Sequence, residues 1–267
     1  MPQKIWNPEE YDTQCVLQYN TAMEMLNEFL LEGNETVLDV GCGTGKITAE
    51  IAKRTPKGLV LGLDVNKKMV DFAKEKYTKN NLFFVNNDVL SMKYQNCFDV
   101  VVSFWTLSWI PLRDQVKALN NIVRSLTENG RILLMYPLRH DAYTVVSEVI
   151  TRPQWERYFS NYEMPRSFIS EAQYRFITQQ IPMTFNLQKK ELKCKYKDDE
   201  EMISSINCWL AHVDEIPSEH KSSFLVDVAS AYKTFRNISE PTMYYSTLEI
   251  TGIKNSLEYQ PKILSKF

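Results

Sequence analysis

Thr36-Val37-Leu38-Asp39-Val40-Gly41-Cys42-Gly43-Thr44-Gly45-Lys46 sits at the centre of the reading. Thr36 to Val40 is a short apolar run of β-formers, which predicts a buried strand. Three glycines at alternate positions break it, and from Thr44 onward Ile47, Ile51 and Ala52 recur at helical spacing. Strand, tight glycine turn and helix start make the layout of a nucleotide cradle. Glycines let the backbone come close to a ligand, and a helix N-terminus offers free N–H groups. A dinucleotide fingerprint reads G-x-G-x-x-G. Its third glycine would fall on Lys46, whereas the glycine stands one residue early at Gly45 and an acid, Asp39, precedes Gly41 by two. That spacing disfavours a nicotinamide dehydrogenase. A tight turn with no ligand is the plainer alternative, but three glycines weaken a turn unless something must approach it.

The chain has 267 residues, enough for one α/β domain with an insertion. It is 44% hydrophobic and 24% charged, with a net charge of −2, an ordinary globular balance. No basic excess points to nucleic acid or an anionic membrane, and no apolar run approaches a membrane span. The first ten residues lack the apolar core of a signal peptide, so a cytoplasmic protein is expected. Five scattered cysteines, Cys15, Cys42, Cys97, Cys194 and Cys208, show no C-x-x-C and are expected as free thiols, with no metal site.

The D-x-G-x-G-x-G form of Asp39 to Gly45 resembles motif I of the class I methyltransferases that use S-adenosylmethionine (SAM). Twenty-three positions beyond Gly41, the run Leu59 to Leu63 ends on Asp64, close to the ~20-residue offset at which an acid reaches a ribose. Capping the following helix is its alternative use. A third strand, Leu82 to Val85, leads to Asp88 and Val89, where enzymes of this class usually hold adenine; an ordinary turn aspartate is the alternative. Phe98 to Ser103 predicts strand four, and Arg131 to Tyr136 strand five. Ligands of open α/β sheets sit beyond the carboxyl ends of the strands. Phe104 to Pro111, with its two tryptophans, must therefore border the reaction site, and it lacks an N-P-P-[YF] or D-P-P-[YF] signature.

Phe98-Asp99, Ser103-Phe104-Trp105-Thr106-Leu107-Ser108-Trp109-Ile110 and Arg113-Asp114-Gln115 are similar to the juvenile hormone acid methyltransferases. The chain also resembles trans-aconitate methyltransferases, and both groups esterify carboxylates. The resemblance runs from about Asn7 to Tyr136. It implies a Rossmann-like α/β fold in one domain, with residues 33–136 as the SAM-binding core. It implies cofactor contacts from Asp39, Gly41, Cys42, Gly43, Gly45, Asp64, Val65, Asp88, Val89 and Ser103. In that family a tryptophan at the place of Trp109 and a glutamine in the N-terminal helix, here Gln18, contact the substrate carboxylate. A histidine usually precedes that tryptophan; this chain has Ser108, which leaves the substrate open.

The rest is read mainly from pattern, with only the order of elements matching the family. A helix within Trp6 to Leu31 is placed to cover the site, with residues 1–32 as a lid and Tyr11, Gln14 and Gln18 as its candidate contacts; merely covering a sheet edge is the plainer reading. Asp141 to Ile177 is aromatic and partly helical, Thr184 to Tyr196 predicts strand six, and Asp199 to Ala211 and Ser218 to Phe235 predict helices. Thr242 to Lys254 would be an antiparallel seventh strand completing a mostly parallel sheet. Helical caps are expected at 137–182 and 197–240. Of His140, His212 and His220, none shows a charge partner, so surface or packing roles are expected; His140 lies nearest the site.

A carboxylate acceptor is ionised at neutral pH and needs no base. An amine or phenol would want one, and none is evident. The expectation is therefore O-methylation of a small acid with an apolar tail, releasing S-adenosylhomocysteine, by a monomer or weak homodimer. A C- or O-methyltransferase of a quinone or other lipid-like intermediate, and a non-catalytic SAM-binding protein, remain as alternatives.

Overall fold

A computed structural model describes residues 4–138 and 141–254. Its chain order is α1 (Pro8–Gln14), α2 (Val16–Glu28), β1 (Thr36–Val40), α3 (Lys46–Arg54), β2 (Leu59–Asp64), α4 (Lys67–Lys76) and β3 (Leu82–Asn86). Then come β4 (Phe98–Ser103), α5 (Gln115–Ser125), β5 (Leu126–Pro137), α6 (Asp141–Val149), α7 (Glu171–Thr178), β6 (Thr184–Lys195), α8 (Asp199–Trp209), α9 (Ser218–Arg236) and β7 (Thr242–Ile253). The sheet runs β3-β2-β1-β4-β5-β7-β6. β7 is antiparallel to both β5 and β6, and the other pairs are parallel. This is a Rossmann-like, mostly parallel seven-stranded sheet.

Strands buried on both faces read as continuous apolar runs, and β1 and β4 do so because helices cover them on either side. Val37, Val100 and Val102 pack with α2, α3, α6, α8 and α9 on one face. Leu38, Val40 and Val101 pack with α5 and α7 on the other. The site therefore lies at one end of the sheet, beyond β1, β2 and β4. No helix among the described residues is long and apolar enough to cross a membrane.

Three expectations are corrected. The N-terminal helix is two helices, broken at Cys15, whose ψ of 52° ends the first and starts the second. β5 begins at Leu126, five residues early: Leu126 pairs with Phe98 and Arg131 with Val100, and the residues between bulge out through Asn129, at φ 63°, without ending the strand. Cys15 and Cys208 form a disulfide, with Cα atoms 6.1 Å apart across 193 positions of sequence. Topology brings α8 against the α1–α2 break, which linear spacing could not show. Among the described residues Cys42, Cys97 and Cys194 are free.

Candidate active site

The glycine turn follows from three different demands. Gly41, Gly43 and Gly45 all have positive φ, the region that only glycine enters without strain. A side chain on Gly41 would meet Thr106 at 2.2 Å, and one on Gly45 would meet the ring of Phe84 at 2.6 Å. Gly45 thus serves the packing of α3 against β3 and α4. At Gly43 the nearest atom stands 3.6 Å away, on Tyr11, an ordinary van der Waals contact, and both residues border open space.

That space is a cavity of about 310 Å³, within the range of small-molecule sites. Gly41, Gly43, Asp64, Val65, Asp88 and Val89 border it, in the order of the strand ends. Trp6, Tyr11 and Trp109 close it from the other side. Asp64 Oδ2 accepts the Gly43 N–H at 2.9 Å, and Oδ1 accepts the Asn66 N–H at 2.8 Å. The acid holds the glycine turn in place, and its remaining lone pairs can accept two hydroxyls. It does not cap α4, since Asn66 does so through its own side chain. Burial raises the Asp64 pKa, opposed by those two N–H groups. Asp88 Oδ1 accepts the Leu90 N–H at 2.8 Å, which fixes the turn after β3.

Other predicted residues lie elsewhere. The Asp39 carboxylate is buried and accepts from Thr48 Oγ1 at 2.7 Å, tying β1 to α3. Burial pushes its pKa up to about 7, against the pull of Thr48. Ser103 Oγ donates to the Val40 carbonyl at 2.8 Å and welds β4 to β1. Neither Asp39, Ser103 nor Gly45 borders the large cavity. Cys42 borders a smaller one beneath Tyr11 and Gln18, and burial raises its thiol pKa. Gln14 borders none of these cavities. His140 falls outside the described residues. His212 packs among Tyr143, Phe159 and Tyr162, and burial lowers its pKa to about 3. The His220 ring lies tilted beside that of Tyr158, with centroids 6.3 Å apart.

A tight second cavity lies between α2 and the cap, and Gln18 and Trp109 both border it. Two more residues join them, neither given a role by the sequence reading, although it set Trp105 in the bordering segment. Trp105 follows β4 with φ at 61°, a rare conformation for a bulky residue, and its buried indole N–H has no partner. Gln18 Oε1 is likewise buried without a partner. Two orphaned polar atoms bordering one cavity are what a polar ligand would satisfy. Arg166 is the other, and the sequence reading missed it. Its guanidinium lies over the Trp109 ring at 4.7 Å and bonds to Ser108 Oγ and Tyr143 Oη. The only sequence signal for it was Ser108 standing where a histidine is usual.

α1 spans the mouth of the site. Lys46 Nζ donates to the Asp12 carbonyl at 3.0 Å, and the Asp12 carboxylate pairs with Lys76. Tyr11 is thereby held over Gly43, and burial followed by the charge of Asp64 raises its pKa.

Residues 37–130 match the family model described as a methyltransferase domain. The 235L protein of Invertebrate iridescent virus 6, named as a methyltransferase, is 24% identical over 93% of both chains. Malonyl-[acyl-carrier protein] O-methyltransferase of Bacillus cereus is 27% identical over 57% of this chain and 56% of its own. Trans-aconitate 2-methyltransferase of Escherichia coli O1:K1 is 27% identical over 57% and 58%. The chain thus spans nearly all of the viral relative and a little over half of these bacterial ones. Among solved structures, YcgJ of Bacillus subtilis superposes with a TM-score of 0.61 at 17% identity, covering 89% of this chain and 99% of its own. Phosphoethanolamine N-methyltransferase 2 of Haemonchus contortus, in complex with SAM, also gives 0.61 at 17% identity, over 93% of this chain and 57% of that one. With a glycine cradle at the end of β1 and acids at or just beyond the ends of β2 and β3, residues 37–130 form a methyltransferase domain, and SAM is its cofactor.

Proposed function

We propose that the protein O-methylates the carboxylate of a small acid with an apolar tail. One observation carries this reading. The cavity between α2 and the cap is bordered by Trp6, Leu17, Gln18, Trp105, Trp109 and Arg166, together with Tyr11, Trp209 and Tyr245. No aspartate, glutamate, histidine or lysine stands among them, and the raised pKa values of Tyr11 and Tyr245 leave neither phenol able to serve as a base. Donors without a base suit an acceptor that is already an anion. The names of two relatives, a malonyl carrier and trans-aconitate methyltransferase, also describe acid-bearing substrates.

In this proposal Asp64 holds the ribose and Asp88 and Val89 the adenine, across Gly41 and Gly43. Residues 33–136 form the cofactor core, and the segments 137–182 and 197–240 shape the acceptor pocket. When bound, SAM supplies a methyl group on a sulfonium, and transfer to a carboxylate oxygen leaves ester and thioether with no proton to remove. The chain's part is alignment and exclusion of water. The Trp109 indole N–H and the Gln18 amide hold the carboxylate, while Trp6 and Tyr11 cover it. A monomer or weak homodimer suffices, since one chain supplies every residue named. A cytoplasmic setting fits a small-acid substrate, provided the Cys15–Cys208 bridge resists cytosolic thiols, among which disulfides are rare.

The test is a panel of carboxylic acids offered with SAM, read as S-adenosylhomocysteine release. The product should be an ester lost on mild alkaline treatment, with a rate flat above the pKa of the acid. Trp109→Phe and Gln18→Ala should each slow transfer about tenfold or more, the effect of ~1.4 kcal/mol of lost alignment. An alkali-stable product would favour C-methylation. A rate rising steeply between pH 6 and 8 would reveal a base and move the acceptor to a hydroxyl or amine.

A further inference from the structure

Arg166 is a buried cation whose charge no carboxylate meets among the described residues. Its Nε and Nη2 donate to Ser108 Oγ at 3.2 and 2.8 Å, and Nη1 donates to Tyr143 Oη at 2.8 Å. A guanidinium has five N–H donors. Three go to neutral hydroxyls, which leaves two, the number a carboxylate takes in a bidentate pair. Aromatic faces hold the group flat, with Trp109, Phe168 and Tyr143 at 4.7, 5.2 and 5.7 Å. A buried charge without a counter-ion is costly to keep. Lys4, the other buried cation near the site, is already committed to the Leu210 and Asn207 carbonyls and to Asp214.

We infer that Arg166 is the anion anchor of the acceptor pocket, binding the carboxylate of the substrate through its two unused N–H groups, and that Ser108 and Tyr143 are positioning residues which aim it. This rests on the carboxylate reading above and names the group that recognises the charge. It also accounts for Ser108. A small hydroxyl at that place accepts two guanidinium bonds, where an imidazole ring would fill the space the arginine occupies. The anchor discriminates between the two ends of the reaction as well. The acid carries a charge for Arg166 and the ester carries none, so the product leaves without breaking an ion pair.

The experiment uses the full chain saturated with S-adenosylhomocysteine and two probes of equal length, octanoate and octanamide, titrated by calorimetry. Wild type should bind octanoate at least tenfold more tightly than octanamide. In Arg166→Gln that preference should fall to within about twofold, with affinity for S-adenosylhomocysteine unchanged as the check on folding. Arg166→Lys keeps the charge but not the fork, and should lose about tenfold or more for octanoate. It carries the test if the glutamine variant fails to fold. Octanoate binding equally well to wild type and either variant overturns the inference, and so does a wild type that does not prefer the anion. Ester formation is scored separately with the most active acid of the panel. An anion held through Arg166 but never esterified sinks the O-methylation reading and leaves the anchor standing. Esterification with unchanged KM in Arg166→Gln sinks the anchor and leaves O-methylation standing.

Discussion

Asp39 and Asp64 stand at the ends of neighbouring strands, and the glycine motif makes both look like cofactor ligands. Their surroundings separate them. Asp64 borders the large cavity, whereas Asp39 is buried against Thr48. Unfolded, Asp39 releases its proton near pH 4; folded, it keeps it to about 7. Between those values the folded chain binds more protons, so the Asp39 contribution to stability falls as pH rises through the window. At full extent the loss is at most about 4 kcal/mol. Asp64, also raised, adds a loss of the same sign. Asp39→Asn should keep the Thr48 contact and stabilise the protein relative to wild type at pH 8, with the gap closing by pH 4. Urea titrations across that range check this, and a constant gap would refute it. Asp64→Asn should instead weaken SAM binding about tenfold, whereas Asp39→Asn should leave it nearly unchanged.

These two acids also show what the sequence could and could not tell. Glycine spacing reports backbone shape, so the turn and the strand ends were legible. Which way a neighbouring carboxylate points depends on Thr48, nine residues on, and no motif carries that. The role of Trp105, and Arg166 altogether, were missed for related reasons. The importance of Trp105 lies in a positive φ, and Arg166 reaches the site from an irregular stretch 58 positions beyond Ser108.

At the scale of elements, the break at Cys15 changes what the N-terminal lid can do. The joint between α1 and α2 is bolted to α8, so α1 can swing while α2 stays seated. The contacts that close α1, from Lys46 and Lys76 to Asp12, reach from α3 and α4, on either side of β2. Hydrogen exchange should therefore slow in Pro8–Gln14 when S-adenosylhomocysteine binds, with little change in α2. Identical exchange in α1 with and without it would leave a fixed cover and no lid. Reducing the bridge, or Cys15→Ser, should extend the ligand-dependent protection into α2. It should also lower stability by about 3–5 kcal/mol, given a closed loop of 193 positions. The two helices were legible as one periodic stretch because the break consumes a single residue and leaves the apolar spacing almost in register.

Across the whole molecule, apolar runs, the glycine turn and the family resemblance were enough to read seven strands and the antiparallel seventh. What they left unread was the pairing across the site, where residues from α2, the β4 loop, the 166 region and β7 meet. Such contacts are distant in sequence and rest on shape. β7 is the clearest case. It lies inside the sheet, between β5 and β6, and gives Tyr245 to the acceptor cavity, yet it comes after every other strand of the sheet in the chain. During translation, then, the five parallel strands from β1 to β5 emerge before the strand that seats β6. A nascent chain halted with only the first 200 or so residues outside the ribosome should already hold the glycine cradle, and should gain protease resistance in 37–130 when SAM is added. It should lack an acceptor pocket until β7 emerges and threads into place. If stalled chains of that length show no SAM-dependent protection, the sheet forms all at once. If they do, the ribosome releases a protein that recognises its methyl donor before it can choose what to methylate.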